Sequence, residues 1–288
     1  MNRRDLLKTL GVASGAALVS RPAAGQHAAP YAGDTVGVLV DTTKCMGCRM
    51  CEVACAQANG LPEPETDVDL STLRSTSPTQ WSVVNRMETE RGPVNVKRQC
   101  MHCLQPACAS ACLTNAMHRT GEGAVIWRES KCMGCRFCMV SCPFDVPKFE
   151  YDSANPKIQK CVMCWERLEE GKQPACVENC PFGCLEFGRR SELLDIARAR
   201  IYAEPDKYVH HIYGEHEAGG TAFLYLSSDP FEQLGFRTDI GTTAYPVYTK
   251  EFLYAVPLVL TLVPPFLLAV SKARRGDAEE PEEGGGES

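Results

Sequence analysis

The sequence predicts an α+β fold built by internal duplication, with polar insertions and a single C-terminal transmembrane helix. Three observations predict it. Sixteen of the 17 cysteines fall into four spaced quartets, the quartets repeat in pairs, and one long uncharged run stands near the C-terminus. A chain of 288 residues buries a sizeable core without disulfide staples, so its cysteines need another reason to exist. With 30 Lys+Arg against 36 Asp+Glu the formal charge is -6, and no basic stretch offers a nucleic-acid footprint, which argues against a DNA or RNA partner.

In chain order, residues 1–25 read as an export signal. Asn2-Arg3-Arg4-Asp5-Leu6-Leu7-Lys8 is a charged start, residues 9–19 are weakly apolar, and Ala23 and Gly25 place small residues before a cleavage point at Gln26. The adjacent arginines are of the twin-arginine type, with Asn2 and Leu6 departing from its usual neighbours. Short extended runs at 36–40 and 124–127 read as hairpin strands, and the Pro/Ser/Thr-rich stretch 61–91 as a surface insertion open to a partner.

The cysteine spacing carries the chemistry. Cys45, Cys48, Cys51 and Cys55 form C-x-x-C-x-x-C-x-x-x-C, and Cys132, Cys135, Cys138 and Cys142 repeat it ahead of Pro143, the bacterial ferredoxin run. Two further quartets carry insertions: Cys100, Cys103, Cys108, Cys112, and Cys161, Cys164, Cys176, Cys180, the last followed by Pro181. Short gaps wrap a loop round one face of a cubane and bring three thiolates to three irons, while the fourth cysteine points away to a second cluster. A tetrahedral zinc site needs no third cysteine at the same short spacing, and no C-x-x-C is followed by His, so no c-type haem site is present.

Repetition strengthens this reading. The runs 44–55 and 131–142 agree at nine of twelve positions, and Gln105-Pro106-Ala107-Cys108 recurs as Gln173-Pro174-Ala175-Cys176. The expected fold is a duplicated bacterial-ferredoxin-like dicluster domain over residues 36–190, followed by a linking segment over 191–250. Within that segment 191–201 reads as a core-facing helix through Leu193, Leu194, Ile196, Ala197 and Ile201 behind a Ser191 cap. The stretch 202–248, with Phe223-Leu224-Tyr225-Leu226, reads as lying between the cysteine-rich domain and the membrane.

Residues 251–271 hold the uncharged run 252–270, about 28 Å long as a helix and close to the roughly 30 Å of a bilayer core. Pro257, Pro264 and Pro265 interrupt it, which membrane helices tolerate when neighbours re-satisfy the freed carbonyls. Lys272, Arg274 and Arg275 follow and place the acidic tail 272–288, with Glu279, Glu280, Glu282 and Glu283, in the cytoplasm. The exported body then stands on the periplasmic face of the inner membrane.

Over residues 36–188 the chain resembles the four-cluster ferredoxin-type electron-transfer subunits of respiratory membrane enzymes, among them the beta subunit of formate dehydrogenase-N and the iron–sulfur subunits of nitrite, dimethyl sulfoxide and polysulfide reductases. The twin arginines, the segment Tyr213-Gly214-Glu215-His216-Glu217-Ala218-Gly219-Gly220-Thr221 and the single C-terminal span resemble most the iron–sulfur subunit of hydrogenase-2-type uptake hydrogenases. The resemblance implies four 4Fe-4S clusters. It also implies the ligand sets: Cys45, Cys48, Cys51 with Cys180; Cys161, Cys164, Cys176 with Cys55; Cys100, Cys103, Cys108 with Cys142; and Cys132, Cys135, Cys138 with Cys112. No ligand is replaced, so a 3Fe-4S variant is not expected.

Other residues carry blander readings. Cys184 reads as a buried small hydrophobe rather than a spare ligand, and His102 as a neighbour of the ligands or an exposed ring. Trp165 reads as a shield against water, and adjacent His210 and His211 make a poor metal pair. Neither a nucleophile–base pair nor a phosphate cradle is visible, so catalysis belongs to partners. The expected role is electron transfer between an exported catalytic subunit, a nickel–iron uptake hydrogenase, and a quinone-reactive integral membrane subunit, beside membrane lipid. A molybdopterin oxidoreductase is the rival partner, and a zinc-stabilised structural module the rival from another class.

Overall fold

Val36–Asp41 forms the central strand β1, and its run of apolar side chains is buried on both faces. This follows from a computed structural model, which describes residues 34–276. The expected export signal and the end of the acidic tail lie outside the described residues.

Two distant strands flank β1. Strand β8 (Leu185–Arg189) runs antiparallel to it, with Val38 opposite Phe187, and β9 (Phe223–Leu226) runs parallel, with Val38 opposite Phe223. The sheet order is β8-β1-β9. Gly37 permits the approach of β9, since a Cβ there would stand 2.5 Å from the Ala222 carbonyl oxygen. Val38 and Val40 pack toward the cysteine loops with Met101, Met163 and Phe223. Leu39 faces the other way, against Leu193, Leu194 and Ala197 of helix Arg190–Ala203.

That helix differs from expectation in two respects. Ser191 lies inside its first turn instead of capping it, and the cap is supplied from outside by Asp34. The Asp34 carboxylate accepts from the Ser191 backbone N–H at 3.1 Å and from its hydroxyl at 2.6 Å. Ile196, expected in the core, is 38% exposed, because the buried stripe is only as wide as the sheet beneath it. A larger correction concerns Phe223–Leu226. These residues complete the sheet of the cysteine-rich domain rather than lie on the way to a membrane, and all four are buried.

Three hairpins carry the rest: β2 (Val83–Thr89) with β3 (Gly92–Arg98), β4 (Met117–Arg119) with β5 (Val125–Trp127), and β6 (Lys148–Phe149) with β7 (Ile158–Gln159). The stretch read as a surface insertion thus ends in β2, with Val83 and Val84 buried. Glu52 holds it in place. Its carboxylate accepts from Arg49 and Arg74 at 2.8 Å each, from Gln80 at 2.9 Å and from the Val84 N–H at 2.5 Å. The last helix, Tyr245–Gly276, contains all three prolines. It is long and apolar enough to cross a membrane, none of that apolar stretch is buried against the rest of the chain, and it touches the domain at the short helix Ala107–Ser110.

Candidate iron–sulfur sites

Each quartet is built the same way. Two cysteines lie on a loop, and the third is the second residue of a helix: Cys51 in α1 (Met50–Asn59), Cys108 in α2 (Ala107–Ser110), Cys138 in α3 (Phe137–Val140) and Cys176 in α5 (Ala175–Glu178), α4 being Trp165–Glu169. The loops turn through the left-handed region at Gly47, Arg49, His102, Gly134, Arg136, Met163 and Cys164. These turns bring loop amides to sulfur, with the Met163 N–H donating to Cys161 Sγ at 3.4 Å and that of Gly47 to Cys45, and such amides favour an anion. The fourth cysteine sits about one turn further on and points to another quartet's loop.

The thiols therefore meet across quartets. Cys138 faces Cys112, Cys132 and Cys135, and these four line one recess with Met117 and Ile158. Cys103 faces Cys142, Cys100 and Cys108. Cys55, Cys161, Cys164 and Cys176 line a second recess with Trp81, Lys97 and Phe223. Cys51 faces Cys45, while Cys180 and Cys45 both meet the Cys184 thiol. Between these neighbourhoods Cys51 faces Cys176, Cys161 faces Cys100, and Cys108 faces Cys138. These links join the four neighbourhoods in series, and the exposed Cys48 and Cys135 belong to the first and third quartets, whose neighbourhoods are the first and last of that series.

Burial is hostile to thiolates along this series. It pushes the Cys103, Cys108, Cys161 and Cys176 thiols up, Cys55 to about 12, and Cys138 and Cys142 to about 11. Such thiols ionise only where a cation replaces the lost water, and cluster iron is one. Other groups supply hydrogen bonds. Cys112 accepts from the amides of Ala116 at 3.2 Å and Met117 at 3.3 Å, which outweigh its burial and lower it. Cys45 falls to about 7 because the Cys184 thiol hydrogen-bonds to it.

His102 is fully buried, which removes the exposed-ring reading. Its Nδ1 accepts the Val125 N–H at 2.9 Å, so Nε2 carries the proton, and that buried N–H has no partner among the described residues. A sulfur acceptor would satisfy it. Donor set, loop amides and this orphaned N–H together fit iron–sulfur groups. Among the described residues no three His, Cys, Asp or Glu side chains meet at the spacing of a single metal ion. A cubane holds its thiolates further apart than one zinc does.

The 4Fe-4S dicluster domain pattern matches residues 44–116 and again residues 94–190. A Nitratidesulfovibrio vulgaris protein is 46% identical over 97% of this chain and 80% of its own length. The Hydrogenase-2 operon protein HybA of Escherichia coli is 34% identical over 88% of this chain and 90% of its own. The chain belongs to the 4Fe-4S dicluster family. It is an iron–sulfur protein of the electron-transfer kind, built from tandem ferredoxin-like dicluster domains, and is similar to proteins named for hydrogenase and formate dehydrogenase. A further family member, the nitrate-inducible formate dehydrogenase iron–sulfur subunit of Escherichia coli, is 31% identical over 66% of this chain and 67% of its own.

Two features escaped sequence reasoning. Cys184 is buried as expected, but it is no inert filler, since its sulfur stands 3.3 Å from that of Cys180. The Cys-x-x-x-Cys spacing across Pro181 and Gly183 was the available signal. Lys97 and Lys160 are buried among the thiols, though each reads in sequence as an ordinary charge beside a cysteine. His210 and His211 bond separately, to the Pro205 carbonyl at 3.1 Å and to Glu217 at 2.7 Å, and Trp165 is half-buried against the core.

Proposed function

We propose that the chain holds four 4Fe-4S clusters in a row and carries electrons between a catalytic subunit and a membrane subunit. The carrying observation is that thiols meet across quartets: three neighbourhoods each combine three cysteines of one quartet with one of another, and in the remaining one Cys45 and Cys180 meet through Cys184. The first would be held by Cys45, Cys48, Cys51 and Cys180, the second by Cys161, Cys164, Cys176 and Cys55. Cys100, Cys103, Cys108 and Cys142 would hold the third, and Cys132, Cys135, Cys138 and Cys112 the fourth. When bound, each cluster takes up and releases one electron at a time. The protein supplies thiolates and amides that meet sulfur, and the two exposed ligands, Cys48 and Cys135, belong to the first and fourth sets.

The helix within 251–271 is the membrane anchor in this reading. It meets the domain at Ala107–Ser110, beside Cys108, which supports the Cys135 end as the membrane side. The relative HybA, matched along most of both chains, favours a nickel–iron hydrogenase as catalytic partner. The formate dehydrogenase relative keeps a molybdopterin partner as the second reading, over a shorter match. Export by the twin-arginine route would let the clusters be assembled in the reducing cytoplasm before the chain reaches the periplasmic face.

Metal and sulfide analysis tests the core of this reading. About sixteen irons with matching acid-labile sulfide per chain is the expected result, and zinc without sulfide would sink it. Co-purification from solubilised membranes identifies the partner, nickel in the complex pointing to the hydrogenase and molybdenum to the rival. Truncation after Thr249 should release the chain from membranes if the helix is its anchor.

A further inference from the structure

Lys97 is 3% exposed and Lys160 2% exposed, and among the described residues neither ammonium meets a carboxylate. The Lys97 Nζ donates to Gln99 Oε1 at 2.7 Å and stands 5.7 Å from the centre of the Phe223 ring. Gln99 Nε2 in turn donates to the Tyr225 hydroxyl at 2.7 Å, and that hydroxyl donates to the Lys97 carbonyl at 2.9 Å. The Lys160 Nζ donates to the carbonyls of Val125 and, at 2.9 Å, Cys161. All these partners are neutral. A buried ammonium with neutral partners alone keeps most of its desolvation cost, so the fold must bring a negative charge to it.

The anions within reach are sulfurs. Lys97 lines the recess of Cys55, Cys161, Cys164 and Cys176, and its charge also reaches Cys51 of the neighbouring set. Lys160 is tied to the carbonyl of Val125, which packs in one buried cluster with Cys108, and its charge reaches Cys108 and Cys142. At Cys112, Cys132, Cys135 and Cys138 the basic residue lining the recess is Arg136, which is exposed and therefore screened by water.

We infer that Lys97 and Lys160 are fixed counter-charges that ease reduction at three of the four cysteine sets: Lys97 at those of Cys51 and Cys176, Lys160 at that of Cys108. The inference rests on the four-cluster reading above. Reduction adds one electron and no proton to a set, and a nearby ammonium stabilises the added charge without bond making. One unit charge about 10 Å away at an effective dielectric of about 20 changes the reduced-to-oxidised ratio at fixed potential roughly tenfold.

The test is a redox titration followed by EPR on the full-length holoprotein, with iron and sulfide measured on each sample. Fewer than about sixteen irons in the unmodified protein would count against the cluster reading itself, separately from this inference. In a fully loaded Lys97→Met protein two clusters should become harder to reduce, each by roughly tenfold in ratio. Lys160→Met should move one other cluster by a similar factor, and Lys97→Arg should restore the unmodified behaviour. Unchanged titrations, an equal shift of all four clusters, or a shift in Lys97→Arg as large as in Lys97→Met would overturn the inference. If Lys97→Met fails to load, Lys97→Gln carries the same test. Failure of both to retain iron would also overturn it, since a charge that only tunes is dispensable for assembly.

Discussion

The runs 44–55 and 131–142 share sequence and local backbone, yet they stand in different surroundings. Gly47 and Gly134 have φ of +71° and +72°, Arg49 and Arg136 have +60° and +62°, and the third cysteine is the second helical residue in both. Beyond the fourth cysteine they part. The first run continues as a ten-residue helix, and the second stops after four residues because Pro143 follows Cys142 where Ala56 follows Cys55. Glu52 and Met139 occupy the same place in the repeat. Glu52 gathers Arg49, Arg74 and Gln80 into a buried network, whereas Arg136 lies over Phe149 and Tyr151 and leaves Phe137 55% and Val140 86% exposed. What faces the sulfurs was copied with the duplication, and what faces away was free to become core in one copy and surface in the other.

Breaking the Glu52 network should have the largest effect. Glu52→Ala strands the guanidiniums of Arg49 and Arg74, which are 13% and 16% exposed, and loss of one partner of a buried ion pair costs about 3–5 kcal/mol. Urea unfolding should show that loss for Glu52→Ala and only about 1 kcal/mol for Met139→Ala, a partly buried truncation. Equal losses at the two positions would mean that the copies are not differently anchored. Next in size is Ala56→Pro, which writes the second copy's stop signal into the first. Ala56 is 4% exposed and inside its helix, so the change should cost about 3 kcal/mol and shorten helix α1 as seen by circular dichroism.

The copied parts were legible in the sequence and the divergent parts were not. Quartet spacing predicted which residues bend into loops, and the stripe of Leu193, Leu194 and Ala197 predicted a core-facing helix; the apolar run 36–40 predicted a strand but in a hairpin, whereas β1 pairs with two distant strands. Glu52 gave no such signal, because a glutamate on a helix reads as solvated until Arg74 and Gln80, from a polar stretch, fold over it. The parallel pairing of Leu39 with Leu224 spans most of the domain and has no local trace. Neither has the burial of Lys97, which sits among sulfurs contributed by two quartets far apart in the chain.

The loop glycines sharpen the comparison on a smaller scale. A side chain at φ near +70° costs about 1–2 kcal/mol in either copy. At Gly47 a Cβ would also stand 2.7 Å from Asn95 Oδ1, whose amide donates to the Cys45 carbonyl at 3.0 Å, whereas at Gly134 nothing lies within 4 Å. Gly47→Ala should therefore lose about 1 kcal/mol more than Gly134→Ala in paired urea titrations, through the displaced hydrogen bond. Equal losses would show that Asn95 yields without penalty.

The smallest expected effect falls on the two arginines' partners. Arg136 sits 5.4 Å from the centre of the Phe149 ring and 5.8 Å from that of Tyr151 on an exposed surface, where a cation–π contact contributes about 0.5–1 kcal/mol. Arg136→Ala should lose no more than that, and Arg136→Lys should recover part of it. Arg49 instead donates through Nε and a terminal nitrogen to one buried Glu52 oxygen, at 3.0 and 2.8 Å, so Arg49→Ala leaves the buried carboxylate with the guanidinium of Arg74 and the neutral donors Gln80 and Val84, and should cost more. Salt separates the two cases as well. Raising ionic strength screens the exposed contact and scarcely touches the buried one, so the gap between the two alanine variants should widen in high salt. A gap that closed would place Glu52 in reach of solvent and return both copies to the same surroundings.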